Sequence, residues 1–200
     1  PESGRAPLSQ GMIETAREQA KDVHAALVTH LDQGRDVVVI EPSDLAMFRE
    51  DYEKLLPEQS FDRLAARSYE ILEFVYGLLD NGGDIEALST AGEGVSVAYH
   101  SHCQQRTLGL AEHTTAVLED AGYDVRTSDV ECCGMAGSFG YKREYYEVSQ
   151  EVGDHLADDL GETGGERLAA SGTSCQDQLA GLYDRTVPHP IELLAPRGRE

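Results

Sequence analysis

Apolar residues recur at helical spacing at Met12, Ala16, Ala20, Val23, Leu27 and Leu31, which predicts a helix from a Ser9 cap to about Gln33, with Gly34 as its stop. Val37 to Ile40 is an unbroken apolar run, the pattern of a parallel strand covered on both faces. A helix capped by Ser43 and ending near Leu56 follows, and then an amphipathic helix from about Phe61 to Leu79 that stops at Asn81-Gly82-Gly83. The second half repeats the alternation. A strand is expected at Val95 to Tyr99, a helix at about Gln104 to Asp120, and a strand around Tyr123 to Arg126. Beyond a glycine-rich stretch come a helix over about Arg143 to Leu160, a short strand at Arg167 to Ala170, a helix at Gln176 to Tyr183 and a last turn at Ile191 to Leu194. This order predicts an α/β fold with mostly parallel strands and flanking helices.

A repeat underlies the alternation. Glu2-Ser3-Gly4-Arg5 leads through Ser9-Gln10-Gly11 into a long helix, a strand, and Glu41-Pro42-Ser43-Asp44 opening another helix. Cys132-Cys133-Gly134-Met135 leads through Ser138-Phe139-Gly140 into a long helix, a strand, and Gly172-Thr173-Ser174-Cys175 opening another helix. The chain thus reads as a tandem duplication, with a first copy over residues 1–88 and a second over residues 89–200. The first copy is incomplete: its opening would correspond to roughly Ala91 to Glu131 of the second. At the positions of Cys132, Cys133 and Cys175 it carries Glu2, Ser3 and Asp44. A chain that begins with Pro1 and shows neither signal nor transit peptide is expected to be a piece of something longer.

Composition narrows the function. The 37 acids against 16 bases give a net charge of −21, which argues against nucleic acid or anionic lipid as a partner. Only Lys21, Lys54 and Lys142 are lysines, and this preference for acids resembles proteins of salt-adapted organisms. No apolar run reaches the length of a membrane span, so a cytoplasmic location is expected, with peripheral association at the inner membrane face as the alternative.

Four cysteines in such a chain do not suggest a secreted disulfide framework. Each follows an expected strand: Cys103 after the strand ending at Tyr99, Cys132 and Cys133 after the strand near Val125, and Cys175 after the strand ending at Ala170. The carboxyl ends of parallel strands form the binding crevice of open α/β sheets, so all four thiols converge at one edge. Helix N-termini there favour thiolates, and the glycines of Gly134 to Gly140 permit close backbone approach. Four thiolates suit a [4Fe–4S] cluster or a structural zinc, and buried thiols without metal are the plainest alternative. Zinc sites usually pair their ligands as CxxC, which is missing here. The adjacent Cys132 and Cys133 fit separate irons more easily than two corners of one small tetrahedron.

Tyr99-His100-Ser101-His102-Cys103-Gln104-Gln105, Cys132 to Gly140, Tyr146 to Ser149 and Ser171 to Cys175 resemble the cysteine-rich CCG domain. That domain occurs in heterodisulfide reductase and in the iron–sulfur subunits of glycolate oxidase and anaerobic glycerol-3-phosphate dehydrogenase. It also forms the C-terminal part of flavin- and iron–sulfur-dependent D-2-hydroxyacid dehydrogenases acting on D-lactate or D-2-hydroxyglutarate. Cys132 to Gly140 and His189 to Leu194 are most similar to the last group. The resemblance implies an oxidoreductase in which a flavin domain, outside this chain, carries FAD and takes a hydride from a 2-hydroxy acid. Ferredoxin-like clusters, also outside it, pass single electrons on, and this domain relays them through its own cluster to a quinone or another carrier. Cys103, Cys132, Cys133 and Cys175 are then the metal ligands, Gly134 and His102 line the cofactor, and no catalytic residue is expected in the fragment itself. The full protein is expected to be oligomeric. Two other readings are a catalytic cluster like that of heterodisulfide reductase, and a zinc-stabilised docking module. The family pattern ends in CxxC, whereas Gly172 stands at its first position here, leaving four ligands.

Weaker expectations attach to the neighbours. His100 and His102 flank Cys103 as possible ligands or donors, against a plain reading as hydrogen-bonded loop histidines. Lys142 and Arg143 offset an anionic cluster or serve as surface bases. Tyr141, Tyr145 and Tyr146 are expected to pack, Arg5 marks the first copy's motif, and Asp44 is expected to act as a capping-type carboxylate.

Overall fold

The computed structural model describes residues 1–84 and 92–194. The chain forms two compact units, Pro1–Glu70 and Ile71–Glu200. The expected join of the two copies at residues 88 and 89 lies outside the described residues.

In the first unit, α1 (Arg5–Ser9) and α2 (Ile13–Asp32) precede β1 (Val37–Val39), α3 (Pro42–Arg49), α4 (Glu58–Ala65) and β2 (Ser68–Glu70). The helical stripe read from the sequence is the buried face of α2: Ala16, Ala20, Val23 and Leu31 pack with Met47, Phe48, Tyr52, Leu55, Leu56 and Leu64. Ser9 does not cap that helix. It closes α1, and Gly11 (φ 76°) turns the chain before α2 starts at Ile13. Glu41, not Ser43, caps α3, accepting the Ser43 amide through its carboxylate at 3.2 Å.

The helix expected from Phe61 to Leu79 is instead α4, the strand β2 and α5 (Ile71–Asp80). β2 pairs in parallel with β1, Val38 opposite Tyr69. Ser68 is held at the strand's start by its hydroxyl donating to the Leu64 carbonyl at 2.7 Å. β1 is not covered on both faces, since Val38 is 40% and Ile40 56% exposed.

The second unit continues from α5 with β3 (Ser96–His100), α6 (Cys103–Thr107), α7 (Ala111–Asp120), β4 (Asp124–Thr127), α8 (Tyr146–Thr163), β5 (Arg167–Ala170) and α9 (Thr173–Tyr183). The strands form a parallel sheet in the order β4-β3-β5, with Tyr99 of the central strand opposite Thr127 and Ala169. Residues alternate between its faces. Val97 and Tyr99 join Leu72, Val117, Leu118 and Tyr123 on the side of α5 and α7. Ala98 joins Leu156, Leu160, Leu168, Ala170, Leu179, Cys133 and Cys175 on the side of α8 and α9. The result is a sheet between two helical layers, as the α/β reading expected. The single helix expected from Gln104 to Asp120 is broken into α6 and α7 at Gly109 (φ 71°).

Candidate metal centre

Because β3, β4 and β5 run parallel, the loops leaving their carboxyl ends lie along one edge of the sheet. Those loops carry all four cysteines: Cys103 opens α6, Cys132 and Cys133 follow β4, and Cys175 sits in the first turn of α9.

Cys133 and Cys175 are buried, Cys132 is half-buried and Cys103 is exposed; none is in a disulfide. Cys133 is favoured as a thiolate. Its pKa is lowered first by the hydrogen bond from the Cys175 thiol, against the opposing effect of burial, and further by the Met135 amide and the Ser174 hydroxyl. The Gly134 amide donates to Cys132 Sγ at 3.4 Å. Cys103 is shifted upward, chiefly by burial and then by the charges of Cys132 and Cys133, while the Gln104 amide and Arg106 pull it down. Those mutual effects place Cys103 within electrostatic reach of both. Among the described residues, no three His, Cys, Asp or Glu side chains are arranged to hold a single metal ion.

Gly134 holds the tight turn. Its φ is 93°, and a Cβ there would lie 2.3 Å from the Ser149 carbonyl oxygen on α8, so only glycine lets the loop seat on that helix. Gln178 of α9 locks the same carbonyl with a 2.7 Å bond from Nε2. Gly172 (φ 90°) is equally constrained: a Cβ would lie 2.4 Å from His102 Cδ2. The His102 ring thus fills the space a side chain at 172 would need. His102 also caps α6, its Nδ1 accepting the Gln104 amide at 3.1 Å, which fits the plain reading of a hydrogen-bonded loop histidine.

Between the loops of Cys103 and Cys175 runs a polar network that the sequence reading did not single out. Tyr99 Oη and Ser171 Oγ each donate to Gln105 Oε1 at 2.6 Å, and Gln105 Nε2 donates to Thr114 Oγ1 at 2.9 Å. Ser171 Oγ also accepts the His102 amide at 3.0 Å. All four side chains are fully buried. The network ties the loop carrying Cys103 to the loop carrying Cys175, and a glutamine two residues after a cysteine was its only sequence signal. Arg106 extends the tie to the third loop, donating through Nη2 to the Val130 carbonyl at 2.8 Å.

The tyrosines expected to pack are not buried: Tyr141 is 61% exposed, Tyr146 is exposed, and Tyr145, also exposed, packs only against a neighbouring ring. Tyr141 Oη donates to Asp177 on α9 at 2.6 Å, and Tyr145 stacks on Phe139 with ring centroids 4.4 Å apart. Lys142 lies over the Tyr145 ring at 6.0 Å.

The first unit reproduces the geometry without the sulfur. Gly4 (φ 87°) follows Ser3 as Gly134 follows Cys133, and its absent Cβ faces Ala16, the fourth residue of α2. Ser149 is likewise the fourth residue of α8. Asp44 is the third residue of α3, as Cys175 is the third of α9. Ser3 Oγ donates to Asp44 Oδ1 at 2.5 Å where the other unit joins Cys133 to Cys175. Asp44 is therefore held by Ser3, and the capping role falls to Glu41. Arg5 pairs with Asp51 at 2.9 Å.

Residues 97–180 match the model of the cysteine-rich domain family designated CCG. The chain is 27% identical over 199 residues to one subunit of the anaerobic glycerol-3-phosphate dehydrogenase of Escherichia coli, covering 94% of this chain and 47% of that protein. It is 25% identical to D-2-hydroxyglutarate dehydrogenase of Escherichia coli, covering 96% of this chain and 18% of the enzyme. Identity is also 25% to lactate utilization protein A of Geobacillus thermodenitrificans, covering 96% of this chain and 78% of the relative. The chain thus spans about half, or less, of the dehydrogenase relatives it matches.

Proposed function

We propose, from the premise that residues 97–180 belong to the cysteine-rich CCG domain family, that this chain is the electron-relay part of a flavin-linked dehydrogenase acting on a 2-hydroxy acid. Two of the relatives are named as dehydrogenases, which supports a role within an oxidoreductase. The reading is carried by the loops of three parallel strand ends bearing the cysteines, with the buried Cys133 packed in one hydrophobic cluster with Cys175 and its pKa lowered chiefly by that neighbour.

The donor set fits an iron–sulfur cluster. Thiolates are its ligands, and the chain favours one by hydrogen bonding and supplies an amide to a second. Cys103, Cys132, Cys133 and Cys175 would hold the cluster, which when bound takes up and releases single electrons. The residues around it keep it in place: Gly134 seats its loop on α8, and the Gln105 network fixes the loops of Cys103 and Cys175 relative to each other. Cys103, the exposed thiol, marks the side open to an electron partner.

On this reading the electrons come from FAD and ferredoxin-like clusters carried elsewhere in the protein and leave to a quinone or another carrier. Among the described residues no helix is long and apolar enough to cross a membrane. The first unit is a degenerate copy of the second. The Ser3–Asp44 bond stands where thiols would be needed, and it binds no cluster.

The test uses the full-length protein, purified without air and mixed rapidly with D-lactate, D-2-hydroxyglutarate and glycerol 3-phosphate in turn. The account expects Cys175→Ser to leave flavin reduction by the preferred substrate unchanged and to abolish electron delivery to a quinone analogue. Undiminished delivery in that variant would overturn it.

A further inference from the structure

His100 is the last residue of the central strand and is completely buried, yet neither Nδ1 nor Nε2 has a hydrogen-bond partner among the described residues. A buried polar group left unpaired is costly, so a folded protein rarely keeps one without a use. The backbone on either side is spoken for: the Tyr99 carbonyl accepts the Ser128 amide at 2.9 Å, and the His100 carbonyl accepts the Ser171 amide at 3.3 Å. The side chain alone is unsatisfied. Ser101 Oγ in the loop after the strand and Arg106 Nε on α6 are unpaired among the described residues too.

Strand alternation fixes the face. Val97 and Tyr99 belong to the layer of α5 and α7, whereas Ala98 packs with Cys133, Met135 and Cys175. His100 follows Ala98 by two and is on that same face, at the carboxyl end where the cysteine loops gather. Burial, and after it the electrostatic influence of Arg106 and His102, lowers its pKa to about 3. The imidazole is therefore neutral at working pH and offers one N–H donor.

We propose that the His100 ring donates its N–H to a sulfur of the bound cluster, either a bridging sulfide or a ligand thiolate, and so sets the cluster's reduction potential. His100 is on this view a positioning residue and not an iron ligand. The inference rests on the iron–sulfur reading above. A donor facing sulfur stabilises the reduced, more negative state, so its removal lowers the potential.

The test compares three forms of the full-length, anaerobically purified protein: wild type, His100→Phe and His100→Gln. Iron and sulfide contents are measured first. Wild type holding no more iron than a control carrying Cys133→Ser and Cys175→Ser would sink the cluster reading itself, a failure separate from this one. With the cluster present, His100→Phe is expected to shift the reduced-to-oxidised ratio at fixed potential about tenfold toward oxidised, equivalent to about 59 mV for one electron. His100→Gln, whose amide can donate, is expected to recover most of that. A potential in His100→Phe equal to wild type, or an equal loss in His100→Gln, overturns the proposal. A second readout stands if the phenylalanine variant fails to fold. With 15N-labelled histidine, the reduced cluster's pulsed EPR spectrum should show a nitrogen coupling that disappears in His100→Gln. Its absence in wild type, as expected if only a buried water satisfies the ring, or its persistence in His100→Gln, would refute the assignment.

Discussion

Replacing Gln105 by methionine keeps the volume of the side chain but strips its amide. Three neutral hydrogen bonds vanish: two accepted from Tyr99 and Ser171 and one donated to Thr114. At about 1 kcal/mol each they amount to about 3 kcal/mol. Tyr99 and Ser171 remain 3.1 Å apart and can re-pair with each other, so the further cost of orphaned groups falls mainly on Thr114 and adds about 1 kcal/mol. Stability differences of this size are a large share of the 5–15 kcal/mol that holds a typical domain together. Urea unfolding of the 200-residue chain, followed by far-ultraviolet circular dichroism and tyrosine fluorescence with no tryptophan to interfere, measures the loss. Thr114→Val alone should cost about 2 kcal/mol, the lost bond plus the orphaned Gln105 amide, and the double variant should cost no more than Gln105→Met, because with both partners gone no group of that pair is left unsatisfied. A destabilisation below about 1 kcal/mol for Gln105→Met would show that the network does not bind the loops of Cys103 and Cys175 together.

Two further outcomes follow from local geometry. Gly134→Ala should destabilise by more than about 2 kcal/mol, because left-handed strain and a backbone clash with Ser149 act together. Gly137→Ala (φ 67°), with nothing near its Cβ, should cost only about 1 kcal/mol of strain; equal losses in urea titrations would contradict the packing described. In the first unit, burial raises the Asp44 pKa above its ordinary 3.8, with Glu41 adding to the rise and Ser3 and Arg5 opposing it. A raised carboxyl stabilises the fold while protonated and loses that contribution as pH climbs from 3.8 through the folded value. Asp44→Asn should therefore gain stability relative to wild type between pH 4 and pH 7; a gap that stays constant or narrows would refute the burial argument.

Long, strongly periodic elements were legible in the sequence, because α2 and α8 bury stripes of apolar residues and β3 and β5 are short apolar runs between turn residues. What failed were short pieces defined by distant partners. β2 is three residues of Ser-Tyr-Glu whose strand character comes from pairing with β1, and helical spacing ran straight through it. The division of α6 from α7 needed the positive φ of Gly109, which a lone glycine in a helical pattern does not announce. In the site, the cysteines stood out by residue type and by their places after strands. Gln105 and Ser171 did not, since what distinguishes them is burial and the bonds they make across the sheet; His100 stood out as a neighbour of Cys103 but not as a buried ring without a partner among the described residues. Ser3 and Asp44 were legible as positions but not as a bonded pair.

The central claim is that Cys103, Cys132, Cys133 and Cys175 share one cluster. It is tested most directly by iron and acid-labile sulfide analysis of protein prepared without oxygen, beside single serine variants of the four cysteines and Ser3→Ala as a control. The account predicts about four irons and four sulfides per chain beyond those of other domains, lost in Cys133→Ser and Cys175→Ser and retained in Ser3→Ala. One zinc without sulfide, or full iron in the Cys133→Ser and Cys175→Ser variants, would contradict it.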